Sequence, residues 1–459
     1  MNASLLNPFT ITHPTAVQTS LVSGASFARF DPSGKYVAAG RSDGSAAIWD
    51  LDTRAAIRWL EGHVKSVTSV DWSRNSRYVM TSSKDWNIII WDLASPTDPP
   101  QRHATIRFDA PVVSASFHPR NSRIILALLG TGEAYIVDLR KDYRGRVELC
   151  EVPEEGDDDA QASRSRSLMT TARFDPSGKH VFIGTSSGSV LVFNTRTKTM
   201  VARHKISGTG VMKGFDFAKN GRRLVTNSSD RTIRQFNLPV YLPPNAEREY
   251  IEQELEPTHR FNDPINKTAW HAMSFSPDGE WLAGGAADPA THKIYIWDIS
   301  NDGQFASALD GGREPLIDVH WHPLKSSIVS TTNQGNILIW HCPTPERWGA
   351  FAGGFEEVDE NVVYEEREDE FDIVSGAWCL YESELALRKK RQEDEKVDII
   401  GGILEDRDLG QAVHAHNGHN GLIGNCESDE DLEWADEEPD NDKKGWRMKI
   451  IMVDGDDGF

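Results

Sequence analysis

Three histidines, His414, His416 and His419, lie close enough together to suggest metal ligation, because imidazoles a few residues apart on a fixed backbone can share one ion. Their setting argues otherwise. Ala-Val-His-Ala-His-Asn-Gly-His-Asn-Gly is low in complexity and rich in turn formers, so a solvated linker is the favoured reading. A second concentration of reactive groups runs from Glu356 to Asp372, with ten carboxylates against one arginine. Nothing there supplies the burial that tunes a carboxyl for acid-base work. No Gly-x-Ser-x-Gly elbow, no His-Glu-x-x-His helix and no Gly-rich phosphate loop is expected, and Gly284-Gly285 and Gly311-Gly312 fall where turns are expected. The chain is therefore expected to have no active site, cofactor or metal of its own, and to work by recognition.

The elements that position recognition residues show first in the charge. From Glu346 onward there are 12 Lys and Arg against 33 Asp and Glu, which accounts for the whole net charge of -21; the residues before it carry 37 of each sign. An acidic tail hangs on a neutral body. That split argues against nonspecific nucleic-acid binding, although a local basic face on the body stays open. Cys150, Cys342, Cys379 and Cys426 are scattered without a Cys-x-x-Cys pair, as fits the cytosol or nucleus. The N-terminus lacks the basic and apolar regions of a secretory signal, and no apolar run approaches the roughly 18 residues that span a bilayer. A soluble intracellular protein with no membrane partner is expected.

The body is periodic. Seven strand endings recur: Ile48-Trp49-Asp50, Ile90-Trp91-Asp92, Ile136-Val137-Asp138, Val192-Phe193-Asn194, Gln235-Phe236-Asn237, Ile296-Trp297-Asp298 and Ile339-Trp340-His341. Each follows an aromatic residue that opens a turn, namely Phe30, Trp72, Phe117, Phe174, Phe217, Phe275 and Trp321. The spacing is 19 residues in five units and 20 and 22 in the others, which chance does not produce. Pro at the first corner and Gly after Asp or Ser suit tight hairpins between the aromatic and the ending. Asp43, Asp85 and Asp230 hold equivalent turn positions, where a carboxylate can bond its own turn.

These features resemble the WD40 family of β-propellers over roughly residues 15 to 345, implying an all-β fold of seven four-stranded blades. Residues 1–345 are expected to form the ring. Leu5 to Ile11, or the next few residues, are expected to supply the outer strand of the last blade and leave no long unpaired edge. Two longer intervals hold an acidic insertion at 151–167 and a surface excursion at 239–261, part of it (246–255) at helical spacing.

Beyond the ring, residues 346–373 combine dense negative charge with spaced aromatic and aliphatic side chains, a pattern that stays extended until a partner holds it. Residues 374–459 read as a flexible acidic tail with further docking motifs. It includes the basic cluster Arg388-Lys389-Lys390-Arg391, which reads equally as a nuclear import signal or a solvent-facing helix end. Lys443 to Val453 reads as one strand against the body or a partner.

Trp348-Gly-Ala-Phe-Ala, Asp359-Glu-Asn-Val-Val-Tyr-Glu-Glu-Arg-Glu and Glu370-Phe-Asp-Ile, following a divergent seven-bladed propeller, resemble the retinoblastoma-binding protein five family. Members are the WD40 subunit of COMPASS and mixed-lineage-leukaemia histone H3 lysine-4 methyltransferase complexes, and the present sequence looks closer to a fungal version. The resemblance implies a nuclear, noncatalytic scaffold and activator. It implies that Trp348, Phe351, Phe355, Val358, Asn361, Val362 and Tyr364 lie along a SET-domain methyltransferase subunit. It implies that Glu365, Glu366, Arg367, Glu368, Glu370, Phe371, Asp372 and Ile373 enter the SPRY domain of an Ash2-like subunit. Val397, Asp398 and Ile399 align loosely with a Val-Asp-Val motif that binds a second WD-repeat propeller subunit; here Ile stands third. The complex as a whole faces the nucleosome. The competing readings are a histone chaperone or substrate receptor whose acidic tail holds histones directly, and an enzyme supported only by the histidine cluster.

Overall fold

The computed structural model describes residues 13–343, apart from 142, 153–166, 207, 209, 242–249 and 264–268, together with 434–436. The first repeat shows how sequence becomes blade. Its inner strand Ala25–Phe30 ends at the aromatic, and Asp31 closes the turn by accepting the N–H groups of Ser33 (3.1 Å) and Tyr36 (2.8 Å). Strands Tyr36–Arg41, Ser45–Asp50 and Ala56–Glu61 follow as an antiparallel meander. The same plan recurs in six further sheets, making blades 1 to 7 over residues 25–61, 67–107, 112–149, 169–205, 212–261, 270–310 and 316–341.

Blade 7 takes its outer strand from Ala16–Val22, antiparallel to Asn336–His341 with Val17 opposite Trp340. The closing strand thus falls in the residues after Leu5–Ile11, which themselves lie outside the described residues. The asparagine-led strand Asn336–His341 is thereby paired on both sides.

Period two explains the packing. In the strand Asn121–Leu129, Ile124, Leu126 and Leu128 face blade 4 while Ile125, Ala127 and Leu129 face blade 2. A sheet sandwiched between two others must be apolar on both faces, which is why Ile-Ile-Leu-Ala-Leu-Leu is an unbroken run. The hydrophobic core is accordingly seven clusters, each filling the gap between two neighbouring blades around the circle. Every inner strand also carries a register shift just after its first residue, as between Ala25 and Phe27 or Val67 and Ser69. Such bulges raise local twist where the strands crowd toward the centre.

The Asp of the second turn does what the sequence suggested. Asp43, Asp85 and Asp230 accept the N–H of Ser45 (2.8 Å), Asn87 (3.0 Å) and Thr232 (3.2 Å). The insertions are partly visible. Glu151 and Val152 are held by Arg203, at 2.9 and 2.6 Å, and Ser167 N–H reaches the Glu151 carboxylate, so the neck of the first is pinned to blade 4. In the second, helical spacing gives way to a strand, Ile251–Glu254, which adds in parallel to Met200–Lys205 as a fifth strand of blade 4. His259–Phe261 then forms the outer strand of blade 5.

Candidate functional site

The described residues concentrate polar groups in three places. The first is the centre of the ring. The residue before each turn aromatic occupies the same register in all seven inner strands, giving Arg29, Asp71, Ser116, Arg173, Asp216, Ser274 and His320. Inner strands are sheet edges, so their outward N–H groups need acceptors. Neighbouring blades supply them: Asp71 accepts from Phe117 N–H at 2.6 Å, Asp216 from Phe275 at 2.7 Å, and Ser274 from Trp321 at 3.0 Å. Arg173 pairs with Asp216 at 2.8 Å and Arg29 with Asp318. Burial pushes the Asp71 carboxyl up to about 6, against the pull of the Phe117 and Trp72 N–H groups and of Arg173 and Arg29. A cavity of about 380 Å³ opens here, lined by Asp71, Arg74, His118, Arg173 and Asp216 among others. Arg29, Asp71, Arg173, Asp216, Ser274 and His118 each bond across a blade junction, whereas the buried Ser116 hydroxyl has no hydrogen-bond partner; no bonded nucleophile and base pair forms among these described residues.

The second place is a chain of hydrogen bonds inside blade 2. Asp85 faces His63 Nδ1 at 3.0 Å, His63 Nε2 faces Thr81 Oγ1 at 2.8 Å, and Trp91 Nε1 donates to the same hydroxyl at 2.9 Å. With Nδ1 protonated toward Asp85, Nε2 accepts the Thr81 hydroxyl proton and a neutral imidazole satisfies every member. Burial lowers the His63 pKa despite Asp85. For Asp85, burial alone acts upward, but the N–H groups of Asn87 and Val64 and the adjacent His63 bring it below the usual range. Resembling a catalytic triad only in residue type, this chain ends on a buried indole and serves structure.

A Gly-x-Ser-x-Gly spacing, Gly184 to Gly188, resolves likewise. It is a hairpin turn in which Gly188 N–H donates to Thr185 O at 3.2 Å, rather than the strand-to-helix elbow that exposes a nucleophile. Among the described residues no group of three metal-ligating side chains occurs, and His414, His416 and His419 lie outside them.

The third place joins the far tail to the ring. Trp434 lies against the cluster between blades 3 and 4, its ring beneath the Arg140 guanidinium at 5.2 Å and 6.2 Å from His118. Arg140 Nη1 donates to the Trp434 carbonyl at 2.6 Å, Ala435 is fully buried, and Asp436 pairs with Arg120 at 3.4 Å. The sequence marked this stretch only as acidic; an isolated Trp in it was the available signal.

The docking residues read from sequence, Trp348, Phe351, Phe355, Val358, Asn361, Val362, Tyr364, Glu365 to Glu368, Glu370 to Ile373 and Val397 to Ile399, all lie outside the described residues.

Comparison with known proteins bears on the family. The WD domain, G-beta repeat family matches residues 10–50, 55–92 and 256–298. The chain is 33% identical over 406 residues to the retinoblastoma-binding protein 5 homolog of Drosophila melanogaster, covering 87% of this chain and 76% of that protein. It is 35% identical over 383 residues to the Set1 complex component swd1 of Schizosaccharomyces pombe, covering 81% of this chain and 90% of that one. The COMPASS component SWD1 of Saccharomyces cerevisiae is 32% identical over 425 residues, covering 88% and 95%. Among solved structures, the Myceliophteria thermophila Cps50 (Swd1) β-propeller domain aligns at a TM-score of 0.63 and 29% identity, over 71% of this chain and 99% of that chain. With seven blades in the expected register and relatives that match nearly end to end, the chain belongs to the family of retinoblastoma-binding protein 5 homologues and Swd1.

Proposed function

We propose that this protein is a noncatalytic scaffold and activator subunit of a nuclear histone H3 lysine-4 methyltransferase complex. The observation that carries the reading is the match to relatives named as Set1 and COMPASS components over more than four-fifths of the chain. The ring is compatible with it, because Arg29, Asp71, Arg173 and Asp216 at its centre bond across blade junctions while His63 and Asp85 are bonded within blade 2.

In this reading residues 1–345 are the platform. Trp348, Phe351, Phe355, Val358, Asn361, Val362 and Tyr364 lie along the SET-domain subunit and favour its active arrangement by differential contact, donating no catalytic group. Glu365, Glu366, Arg367, Glu368, Glu370 and Asp372 steer toward an Arg-lined SPRY surface of the Ash2-like subunit, while Phe371 and Ile373 supply desolvated contact. Val397, Asp398 and Ile399 lie as a short strand on a second WD-repeat subunit. Each site alone is weak because ordering the segment opposes binding, so linkage of several gives stable assembly, which then faces the nucleosome as a unit.

Reconstitution tests it. Adding the full chain to the SET-domain subunit and the SPRY subunit raises H3 lysine-4 methylation, and a chain ending at residue 345 does not. Equal rates with and without the tail contradict the reading. Salt-sensitive binding of free histones by the tail, without any effect on the methyltransferase, would favour a histone chaperone.

A further inference from the structure

The contact at Trp434 is built from both sides. On the ring, Arg140 is held before any tail arrives: its Nη2 and Nε donate to Asp138 at 2.7 and 3.1 Å, and its guanidinium stacks on Tyr143 at 4.9 Å. Its remaining face and Nη1 meet the Trp434 ring and carbonyl. A guanidinium already fixed in place loses little freedom on binding, so the cation–π contact and the hydrogen bond are gained at small entropic cost. His118 is fixed as well, donating Nε2–H to the Gly178 carbonyl at 3.0 Å.

Charge agrees with shape. Blade 3 carries Arg120, Arg123, Arg140, Lys141 and Arg144 in a short span, whereas Glu427 to Asp440 has nine carboxylates and no Lys or Arg. Ala435, with no exposed surface, excludes any larger or charged residue at that position.

Position gives the contact its consequence. The chain leaves the ring after blade 7 and meets it again at the junction of blades 3 and 4, three blades away in either direction round the circle. We propose that Trp434, Ala435 and Asp436 are an intrachain clamp seated between blades 3 and 4. Residues 344–433 are then a loop fastened at both ends to one ring, not a free-ended ribbon. Loop closure over such a length costs little more than over half of it, so a modest contact suffices to hold it. Sites within a closed loop sample a smaller volume than sites on a free tail, which raises their effective concentration for partners near the ring. That consequence rests on the scaffold reading; the clamp itself rests on the geometry alone.

The test uses the full chain with a protease site inserted between His419 and Gly421, cut after purification and passed over a sizing column in low salt. The expected result is that the fragment carrying Trp434 travels with the ring, and that Trp434→Ala or Ala435→Glu weakens retention by roughly tenfold or more. Neither residue belongs to a strand of the ring, so neither change unfolds it. Higher salt weakens retention through the Arg120–Asp436 pair. Separation of the wild-type fragment from the ring overturns the proposal, as does retention unchanged by both substitutions. No methyltransferase or partner subunit takes part, so failure here and failure of the scaffold reading are separate results.

Discussion

His118 Nε2–H donates to the carbonyl of Gly178 at 3.0 Å and ties blade 3 to blade 4; His322 and Gly34 repeat the bond, also at 3.0 Å, between blades 7 and 1. The imidazole stands where a side chain would otherwise begin. Gly178 has φ +83, and a Cβ added there would lie 2.4 Å from the His118 ring. Gly221 holds the same turn position in blade 5 at φ +69, but its Cβ would meet only Pro176, at 3.7 Å. Gly178→Ala is expected to cost about 2–4 kcal/mol and Gly221→Ala about 1 kcal/mol, because only the first adds a steric clash to backbone strain. Urea unfolding of the two variants checks this, and equal losses would show that the contact matters little.

In blade 2 the Thr81 hydroxyl serves both His63 and Trp91. Thr81→Ala leaves a buried indole N–H without an acceptor and is expected to cost about 1–3 kcal/mol, while Thr81→Ser retains most of the stability. Ser330 of blade 7 plays the same part for Trp340 in its own blade and for His292 of blade 6, at 2.8 Å to each, so Ser330→Ala should cost a similar amount. Denaturation midpoints of the three variants give the comparison.

Acid should loosen the ring before it titrates ordinary carboxylates. Burial brings His118, His204 and His292 down to about 4 from an ordinary 6.5, with Arg140 and Arg120 adding to the effect at His118. A folded pKa below the unfolded one means the unfolded chain takes up the proton first. The stability these groups contribute is therefore present above pH 6.5 and lost as pH falls toward 4. Asp71 acts oppositely, since its raised pKa of about 6 makes the folded state the better proton binder in the lower part of that range. Three histidines against the Asp71 carboxyl leave a net uptake of about two protons from these four groups on unfolding near pH 5, which Asp175, also raised by burial, reduces. Melting temperatures measured from pH 7 to 5 should fall steadily, and a flat profile would contradict the assignment of buried neutral histidines.

Within the proposed docking line, Phe371→Ala or reversal of Glu365 and Glu366 to lysine is expected to weaken binding of the SPRY subunit by roughly tenfold or more. The melting transition of the ring should not move. Pull-down with the purified subunit, beside a melting curve, separates loss of contact from loss of fold.

The ring was legible because a blade buried on both faces forces a pattern onto the chain. Apolar runs such as Ile88-Ile-Ile-Trp91, the aromatic before each turn and the Asp in Asp43, Asp85 and Asp230 all report a physical demand at their own position. The fifth strand of blade 4 was not legible, because Ile251 to Glu254 is exposed throughout and bonds through its backbone, which leaves no periodicity to read. The charged residues at the ring centre carry no local signal either. Arg29, Asp71 and Asp216 look like ordinary surface charges until seven blades bring them face to face. Trp434 was hidden for another reason, since its pocket is assembled from blades distant in sequence. The docking segment 348–373 was read from family resemblance and charge pattern, and lies outside the described residues.

The central claim, a neutral ring presenting an acidic docking line to a methyltransferase, is tested most directly by capture from nuclear extract followed by mass spectrometry. The full chain is expected to recover the SET-domain subunit, the Ash2-like SPRY subunit and a second WD-repeat protein, and the chain ending at residue 345 to lose all three. Recovery of the SET-domain and SPRY subunits by the shortened chain at full yield, or of neither by the full chain, would contradict it.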